Sequence, residues 1–387
     1  MVELLFWISI ATIIYTYLAF PALLFLRGWI WRRPVKRGAV TPTVTLIIVA
    51  HNEAAHIGRK LENLLSLDYP RDRLNIIVAS DGSEDGTNEV VSQYEAKGIK
   101  LLPLPRRGKI PTLNAAVFNS TSEILVFSDA NSMYALRAIR VLVRPFADPS
   151  VGGVAGSQCY VRDLTDSSAS MGERTYWNFD QRLKLWQSQS GSVTSATGAI
   201  YAIRRELFEP IPSGVGDDAV NSYRVVARHY RMVFEPKAIA YEPVAPSSSA
   251  EFQRKVRICV RGLRGLLAVP ELLNPLRYGF YSLQLFSHKL LRWLMAWPLM
   301  ALFFSSLWLA STNSLYQIAA SGQIIFYGLA VSVFLIRQWK IATAKIFKLL
   351  TLPFYFCLAN SAFLVAQLRV VQGQRIDLWE VRRNQHG

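Results

Sequence analysis

Hydrophobic residues are concentrated near the two ends of the chain, and a more polar region lies between them. Residues 2–26 form an apolar run with one carboxylate and no cation, long enough to cross a bilayer as a helix. This run lacks the basic n-region and the small-residue cleavage site of a signal peptide, so we interpret it as an uncleaved membrane helix. Three more apolar runs of spanning length lie toward the C-terminus, at about 293–312, 316–336 and 346–368.

The central region, residues 42–245, alternates short apolar runs rich in β-branched residues with amphipathic stretches. Runs of this kind predict buried strands, and the helical periodicity of the stretches between them predicts helices. The predicted strands are 43–50, 74–80, 99–104 and 123–130, and the predicted helices are 53–67 and 87–98. Thr87 is the expected N-cap of the second helix, and Gly98 is its expected stop. The alternation predicts an α/β fold with a mostly parallel sheet covered by helices.

Polar clusters follow three of these predicted strands: residues 51–53 (HNE), 81–87 (DGSEDGT) and 128–131 (SDAN). Each cluster alone is typical of a solvated turn. The carboxyl ends of parallel strands meet at one edge of a sheet, however, and ligands bind there in α/β proteins. The three clusters together therefore favour a ligand site at this edge.

The chain has 387 residues and a formal net charge of +16, from 43 Lys and Arg against 27 Asp and Glu. Such a charge favours anionic partners: nucleic acid, phosphorylated ligands or acidic lipid headgroups. The mean hydropathy of +0.20 is too apolar for a typical nucleic-acid-binding protein. We therefore expect membrane lipids as partners, and no nucleic acid.

The cations that flank the apolar runs predict their orientation, because short cytoplasmic loops carry an excess of Lys and Arg. Basic residues follow the first run, precede the second and follow the third: Arg27, Arg32, Arg33, Lys36, Arg37, Lys289, Arg292, Arg337, Lys340, Lys345 and Lys348. They place the central region in the cytoplasm. Four spans, however, put the basic C-terminal tail outside. Either one C-terminal run is re-entrant or interfacial, or the tail breaks the rule.

A set of short motifs resembles the membrane-bound family 2 glycosyltransferases, the group that includes the cellulose, hyaluronan and poly-N-acetylglucosamine synthases. The motifs occur in the family's order across residues 42–293: VAHNE, SDGSEDGT, RRGKIPTLNAA, FSDANS, TGAIYAIRREL, GDDA and RKVRICVRG. The resemblance implies a GT-A nucleotide-sugar transferase domain, with a Rossmann-like mixed sheet, between membrane helices. The expected division is a transmembrane helix at 1–27, the cytoplasmic GT-A domain at 38–250, interfacial helices at 251–292, about three transmembrane segments at 293–369 and a basic tail at 370–387.

For the donor nucleotide, the resemblance implies a nucleoside pocket lined by Ala50, Asn52, Glu53 and Asp81, in which Asp81 accepts bonds from a base or ribose. Lys109 corresponds to the family's lysine near the nucleotide or its phosphates. The alternative for Lys109 is a solvated charge in the basic run of residues 106–109.

The remaining acidic motifs carry the expected chemistry. The DAN sequence corresponds to the family's Asp-x-Asp, so Asp129 and Asn131 are the expected ligands of Mg²⁺ or Mn²⁺, and Asp129 also contacts the nucleotide. Hard divalent cations prefer oxygen ligands, and an amide oxygen can serve in place of the lost carboxylate. Asp217 and Asp218 match the family's Thr-Glu-Asp motif, in which Asp218 is the catalytic base of an inverting single displacement. An exposed acidic turn is the alternative.

The acceptor side shows both matches and departures. Gly198 is expected in a wall of the acceptor site, and Arg254 and Arg257 are expected near the diphosphate or acceptor. The processive synthases carry a tryptophan that stacks on the acceptor sugar, and this chain has Ile258 at the aligned position. We interpret this departure as evidence against a synthase of long polymers.

The sequence therefore predicts a metal-dependent, inverting glycosyltransferase (hexosyl- or N-acetylhexosaminyl-transferase) in the inner membrane, a multi-pass protein with its catalytic domain in the cytoplasm. Its expected donor is a nucleotide-diphosphate sugar, with UDP as the expected nucleotide. Its expected acceptor is lipid-linked, in polysaccharide or glycolipid assembly. Two alternatives stay open: a processive polysaccharide synthase, and a catalytically silent nucleotide-sugar sensor.

Overall fold

The computed structural model describes residues 1–161, 171–243, 248–338 and 347–376. The chain forms two compact units. The central unit consists mainly of Leu24–Val244 and Arg264–Ser282, and the terminal unit consists of Met1–Leu23, Ala245–Leu263 and Leu283–Gln374. Most of the expected basic tail, from residue 377 onward, lies outside the described residues.

A mixed sheet of eight strands, counted over the described residues, forms the core of the central unit. The strands are β1 Val44–Ala50, β2 Leu74–Asp81, β3 Ile99–Leu104, β4 Ile124–Asp129, β5 Met133–Tyr134, β6 Val151–Val161, β7 Tyr201–Arg204 and β8 Arg231–Pro243. Their order across the sheet is β3-β2-β1-β4-β7-β6-β8-β5. The first four are parallel, whereas β7 is antiparallel to both β4 and β6. The four predicted strands are confirmed to within one residue at each end.

Helices cover this sheet because their apolar stripes need burial. The helices of the central unit are α2 Phe20–Ile30 (which begins in the terminal unit), α3 Ala54–Leu65, α4 Thr87–Ser92, α5 Lys109–Phe118, α6 Ala138–Val143, α7 Met171–Ser190, α8 Asp217–Ala227 and α10 Pro275–Tyr278. On α3, the residues Ile57, Leu61 and Leu64 recur at helical spacing and are fully buried. They bury one face of α3 in the core cluster that also contains the alternate side chains of β1.

The second predicted helix is shorter than the sequence indicated. It spans Thr87–Ser92, and a separate 3₁₀ turn, Glu95–Lys97, ends at Gly98 with a φ of 85°. Thr87 is wrong as the N-cap: that position is Gly86, whose φ of 90° suits a glycine. Thr87 is instead the first helical residue, and its buried hydroxyl bonds to other loop groups.

The terminal unit is helical. It contains α1 Val2–Ile14, most of α9 Ser248–Leu267, part of α11 Phe280–Leu285, α12 Leu291–Trp293, α13 Ala296–Leu309, α14 Ser314–Gln338 and α15 Phe347–Val371. Within the described residues, three helices are long and apolar enough to cross a membrane: Val2–Ile30, Ser314–Ile336 and Thr351–Val371. The expected span at 293–312 is not one straight helix. It is the second arm, Ala296–Leu309, of a pair whose first arm is Phe280–Trp293, and the two arms are bent by 59° at a short break. By length and composition, such a pair is either a broken fourth span or a re-entrant loop.

Side-chain contacts inside the terminal unit show which of its helix ends lie next to each other. Phe6 of α1 packs with Leu309 at the end of α13 and with Tyr316 at the start of α14. At the opposite end of α13, the Trp297 indole N–H donates to Gln367 of α15 (2.7 Å), and the amide of Gln367 donates to the Trp293 carbonyl (2.7 Å). The C-terminal part of α15 therefore lies beside the beginning of α13.

Candidate active site

Three of the predicted clusters lie at one edge of the sheet. Ala50 at the end of β1 is in register with Ser80 of β2, and Val49 is in register with Asp129 of β4. The strands are parallel, so their carboxyl ends open on the same side. This confirms the expectation that the loops after them meet.

Asp81 is fully buried, with 0% of its surface exposed. Its carboxylate accepts hydrogen bonds from three residues of the loop that follows β3: from the Arg106 guanidinium (3.1 Å), the Arg107 N–H (2.7 Å) and the Gly108 N–H (3.0 Å). It also accepts from the Thr112 hydroxyl of α5 (3.0 Å). Burial and these donors leave no carboxylate oxygen open to a ligand, which contradicts the predicted bond to a base or ribose. Asp81 instead fixes the loop from which α5 begins.

The other predicted nucleoside residues follow β1. Ala50 and Glu53 are buried, whereas Asn52 is exposed and has a φ of 53°. The Asn52 side-chain oxygen accepts from the Glu84 N–H (2.9 Å), and the Glu53 N–H donates to the Thr87 hydroxyl (2.8 Å). These bonds join the loop after β1 to the loop after β2, so the two form one surface.

Lys109, the first residue of α5, connects two of the predicted acidic motifs. Its ammonium lies 3.1 Å from an oxygen of Asp129 and 3.2 Å from an oxygen of Asp217. Desolvation acts to lower the pKa of Lys109, but the carboxylates outweigh it and raise that pKa well above its usual range. Lys109 is thus a fixed cation at the ligand edge, and the alternative of a solvated charge is wrong.

Asp217 is held on its other side by residues that the sequence did not single out. The Tyr201 hydroxyl donates to Asp217 (3.2 Å), and it accepts from the Asn221 amide (3.0 Å). Tyr201 is fully buried, and its ring stacks on Phe127 with centroids 4.7 Å apart. Burial and the charge of Asp217 raise the pKa of Tyr201, so its hydroxyl stays a donor. Tyr201 lies within the quoted TGAIYAIRREL motif, which was the only signal for it.

Asp218 differs from its neighbour in exposure. Asp217 is buried, whereas Asp218 is half-buried, and both occupy the first turn of α8. One oxygen of Asp218 accepts from the N–H of Ala219 (2.8 Å). The position at a helix N-terminus is favourable for a carboxylate, and Asp218 remains partly accessible there.

Gly198 lies against Asp129. A Cβ added at Gly198 meets an oxygen of Asp129 at 3.1 Å, so the glycine leaves open space beside that carboxylate. Asn131, two residues further on, is half-buried. No group of three His, Cys, Asp or Glu side chains suited to a metal occurs in the described part of the chain. A carboxylate and an amide supply the oxygen ligands that a hard cation prefers, so Asp129 and Asn131 stay predicted ligands.

Arg254 and Arg257 lie on α9, in the terminal unit, and both are half-buried. The Arg254 guanidinium is paired with Glu251 at 2.7 Å, and Lys255 lies 3.2 Å from the same carboxylate group. Ile258 on this helix is 50% exposed. The expected roles of Arg254 and Arg257 at the diphosphate or acceptor stay predictions.

A mixed sheet with carboxylates gathered at the ends of its parallel strands agrees with the GT-A class of transferase fold. The family model described as "Glycosyltransferase like family 2" matches residues 42–261, more than half of the chain, and the chain belongs to this family. The protein is a family 2 glycosyltransferase related to polysaccharide synthases.

Named relatives share this domain. The chain is 28% identical over 228 residues to the probable glycosyltransferase YdaM of Bacillus subtilis (strain 168), a match that covers 55% of this chain and 52% of the relative. It is 22% identical over 231 residues to the poly-β-1,6-N-acetyl-D-glucosamine synthase of Staphylococcus epidermidis, covering 58% of this chain and 55% of that one. The chain thus spans about half the length of the curated relatives it matches.

Among solved structures, the chain is similar to the mannosyltransferase PcManGT from Pyrobaculum calidifontis, which was solved in complex with GDP-Man and Mn²⁺. The TM-score is 0.70 at 23% identity, and the match covers 96% of this chain and 100% of the other. This likeness supports the GT-A fold, including the helices outside the sheet domain.

Proposed function

We propose that the protein transfers a sugar, with inversion, from a nucleotide-diphosphate sugar to a membrane-associated acceptor hydroxyl. The observation that carries this proposal is the single ammonium of Lys109 within 3.2 Å of both Asp129 and Asp217. It brings the motif after β4 and the motif at the start of α8 to one place. A donor diphosphate and an acceptor can then be held between them.

The nucleoside end of the donor is proposed to lie along Ala50, Asn52 and Glu53, without Asp81, whose oxygens are committed to the protein. Lys109 and Arg107 then provide positive charge for the diphosphate. Arg107 is exposed, and its backbone is anchored by Asp81. UDP is the nucleotide that the family resemblance favours, and the GDP-Man of the archaeal neighbour makes GDP the alternative to test.

Asp129 and Asn131 are the residues that would hold a divalent cation. When bound, Mg²⁺ or Mn²⁺ supplies positive charge that stabilises the diphosphate as it leaves. The archaeal neighbour was solved with Mn²⁺, which supports a divalent cation but not particular ligands. Because one of the two protein ligands is a neutral amide, we expect the cation to bind weakly until the donor phosphates are present.

Asp218 is the proposed general base. Its accessible carboxylate takes the proton of the acceptor hydroxyl while that oxygen forms the new bond to the anomeric carbon. The bond from the anomeric carbon to the diphosphate oxygen breaks on the opposite face, and its electron pair leaves with the nucleoside diphosphate. Asp217 is proposed as a positioning residue, since it is buried and already bound to Lys109 and Tyr201.

The acceptor is proposed to be lipid-linked and to be extended by a single sugar residue, in polysaccharide or glycolipid assembly. The supporting observations are Ile258, an aliphatic side chain where the processive synthases have a sugar-stacking tryptophan, and two exposed leucines, Leu267 (68%) and Leu276 (96%). Such leucines suit helices that lie at the membrane interface. A processive synthase is the second candidate, since the staphylococcal relatives are polymer synthases.

For the membrane, we propose an inner-membrane protein whose catalytic domain, 38–250, faces the cytoplasm between the helix at 1–27 and the segments at 293–369. Gln367 of α15 binds at Trp293 and Trp297, next to the basic residues Lys289 and Arg292. This contact supports the alternative in which one of the C-terminal runs is re-entrant or interfacial, so that the basic tail begins on the cytoplasmic side.

The proposed reaction is tested by supplying detergent-purified protein with UDP- and GDP-sugars, Mn²⁺ and lipid extract, and by measuring the nucleoside diphosphate released. Asp218→Asn should lower the rate by about 10²- to 10⁴-fold, because the base is lost. Asp72→Asn, at an exposed carboxylate outside the site, is the matched control.

A wild-type rate in Asp218→Asn contradicts the assignment of the base. Binding of nucleotide sugar with no release of product identifies a sensor instead. Mass spectrometry of the product separates the addition of one sugar from polymerisation.

A further inference from the structure

Lys60 is a buried lysine outside every motif used above. It lies on α3 with 0% of its surface exposed. Its ammonium donates to the Ser128 hydroxyl (2.8 Å) and to the Ser132 carbonyl, and it lies 4.0 Å from the centroid of the Tyr134 ring. Every one of these groups belongs to the segment that runs from the end of β4 through β5.

This segment contains the two residues proposed to hold the cation. Ser128 directly precedes Asp129, and Ser132 directly follows Asn131. Because Lys60 bonds to both serines, it ties the two ends of the Asp129–Asn131 loop to one point on α3. Three residues held at both ends have little freedom to move.

The same loop is also tied to the turn that carries Gly198. The Ser132 hydroxyl lies within hydrogen-bond distance of the carbonyls of Asp129 (2.9 Å) and Ala199 (3.2 Å). The Tyr134 hydroxyl donates to the same Ala199 carbonyl (3.2 Å). Lys60 therefore connects the loop to α3. Ser132 and Tyr134 connect it to Ala199, the residue after Gly198.

A lysine in this place is costly for the fold. Burial lowers the pKa of Lys60 to about 7, although the carboxylates of Asp129 and Glu242 act to raise it. Replacing both partners of a buried polar interaction by apolar groups of similar shape is often neutral or stabilising. The stability of α3 thus gives no reason for a lysine here, whereas the order of the loop does.

We propose that Lys60 is a positioning residue that holds the Asp129–Asn131 loop in the conformation that binds the divalent cation together with the donor diphosphate. The proposal rests on the proposed function, in which this loop holds the cation. With only two protein oxygens for the ion, the displacement of either one removes a large part of the site. Residues behind metal ligands commonly change metal affinity by about 10- to 100-fold when mutated.

The test compares Lys60→Met with wild type. Methionine is similar in length but cannot donate a hydrogen bond. Mn²⁺ binding is measured by electron paramagnetic resonance, in parallel titrations with UDP and with GDP. Lys60→Met should bind Mn²⁺ at least about 10-fold more weakly. Its melting temperature should fall, because the Ser128 hydroxyl and the Ser132 carbonyl lose a buried donor. The matched control is Lys97→Met, at an exposed lysine paired with Glu62, and it should bind Mn²⁺ as wild type does.

A second variant distinguishes an effect on the loop from an effect on the stability of the fold. Ser128→Ala removes one acceptor of the Lys60 ammonium and leaves α3 intact. If Lys60 acts through Ser128, the double variant should bind Mn²⁺ little more weakly than Lys60→Met alone, since the two residues act as one unit. Should Lys60→Met fail to fold, a weaker Mn²⁺ affinity in Ser128→Ala supports the proposal and an unchanged affinity overturns it.

The two levels of failure are distinguishable. If wild type binds Mn²⁺ with a nucleotide and Lys60→Met binds it equally well, Lys60 is not a positioning residue, and the proposed function stands. If wild type binds no Mn²⁺ with either nucleotide, the metal assignment in the proposed function fails and this proposal fails with it.

Discussion

At the scale of single residues, the site is organised by buried charges that neutralise one another. Lys109 compensates Asp129 and Asp217, while Asp81 compensates Arg106. A buried charge is costly unless it is paired and hydrogen-bonded, so each partner fixes the position of the other. The four segments that carry these groups are therefore ordered by electrostatics as well as by packing.

The variant Asp81→Asn tests whether a paired, buried charge orders these segments. Asp81 was predicted to bind the nucleotide, and in the structure it binds protein groups instead. The Asn side chain has one acceptor oxygen where the carboxylate has two, so it cannot keep all the bonds from the Arg107 and Gly108 N–H groups. The Arg106 charge also loses its partner. We expect a loss of about 3 kcal/mol in the free energy of unfolding. Thermal or urea unfolding in detergent measures it, with the exposed Asp72→Asn as the control. An unchanged unfolding free energy is incompatible with a structural role for Asp81.

At the scale of secondary-structure elements, the site depends on where strands end and helices begin. β1, β2 and β4 end at the same edge of the sheet, and α5 and α8 begin there with Lys109 and Asp217 as their first residues. A helix N-terminus presents partial positive charge and open N–H groups. An edge that gathers helix N-termini and cations is suited to an anionic ligand such as a diphosphate.

Gly198→Ala tests the close approach between the turn before β7 and the end of β4. The new Cβ lies 3.1 Å from an oxygen of Asp129, so we expect the carboxylate to shift. The rate with the best donor should fall about 10-fold, and the melting temperature should stay within a few degrees. Gly322→Ala, where no atom lies within 4 Å of the added Cβ, is the control and should leave the rate unchanged. Equal rates for both variants contradict the close approach.

At the scale of the whole molecule, the chain combines a sheet domain with apolar helices that are long enough to cross a membrane. Within the terminal unit, the end of α13 lies at Phe6 near the N-terminus, and its beginning lies at Gln367 near the end of α15. The proposed topology rests on these two contacts, which place the N-terminal helix at one end of α13 and the C-terminal part of α15 at the other.

The topology is tested by fusing reporters after the last residue. A C-terminal fluorescent protein that folds only in the cytoplasm should fluoresce, and a C-terminal alkaline phosphatase should be inactive. The same fusions after Met1 should give the opposite pattern, because α13 separates the two ends. An active phosphatase at the C-terminus contradicts the alternative in which one C-terminal run is re-entrant or interfacial, and it favours four complete spans.

The sequence by itself determined the class of fold, because strand and helix periodicities are local and each strand of the parallel half was visible as an apolar run. It also identified the acidic motifs, because residue types and their order along the chain are read directly from the sequence. Only the tertiary structure decided which charges meet. Asp81 is bound by a loop 25 residues away, and Lys60 by a loop about 70 residues away, and neither pairing leaves a periodic signal in the chain. Burial and pairing between distant segments are properties of the folded molecule, and they decide whether a carboxylate serves the ligand or the fold.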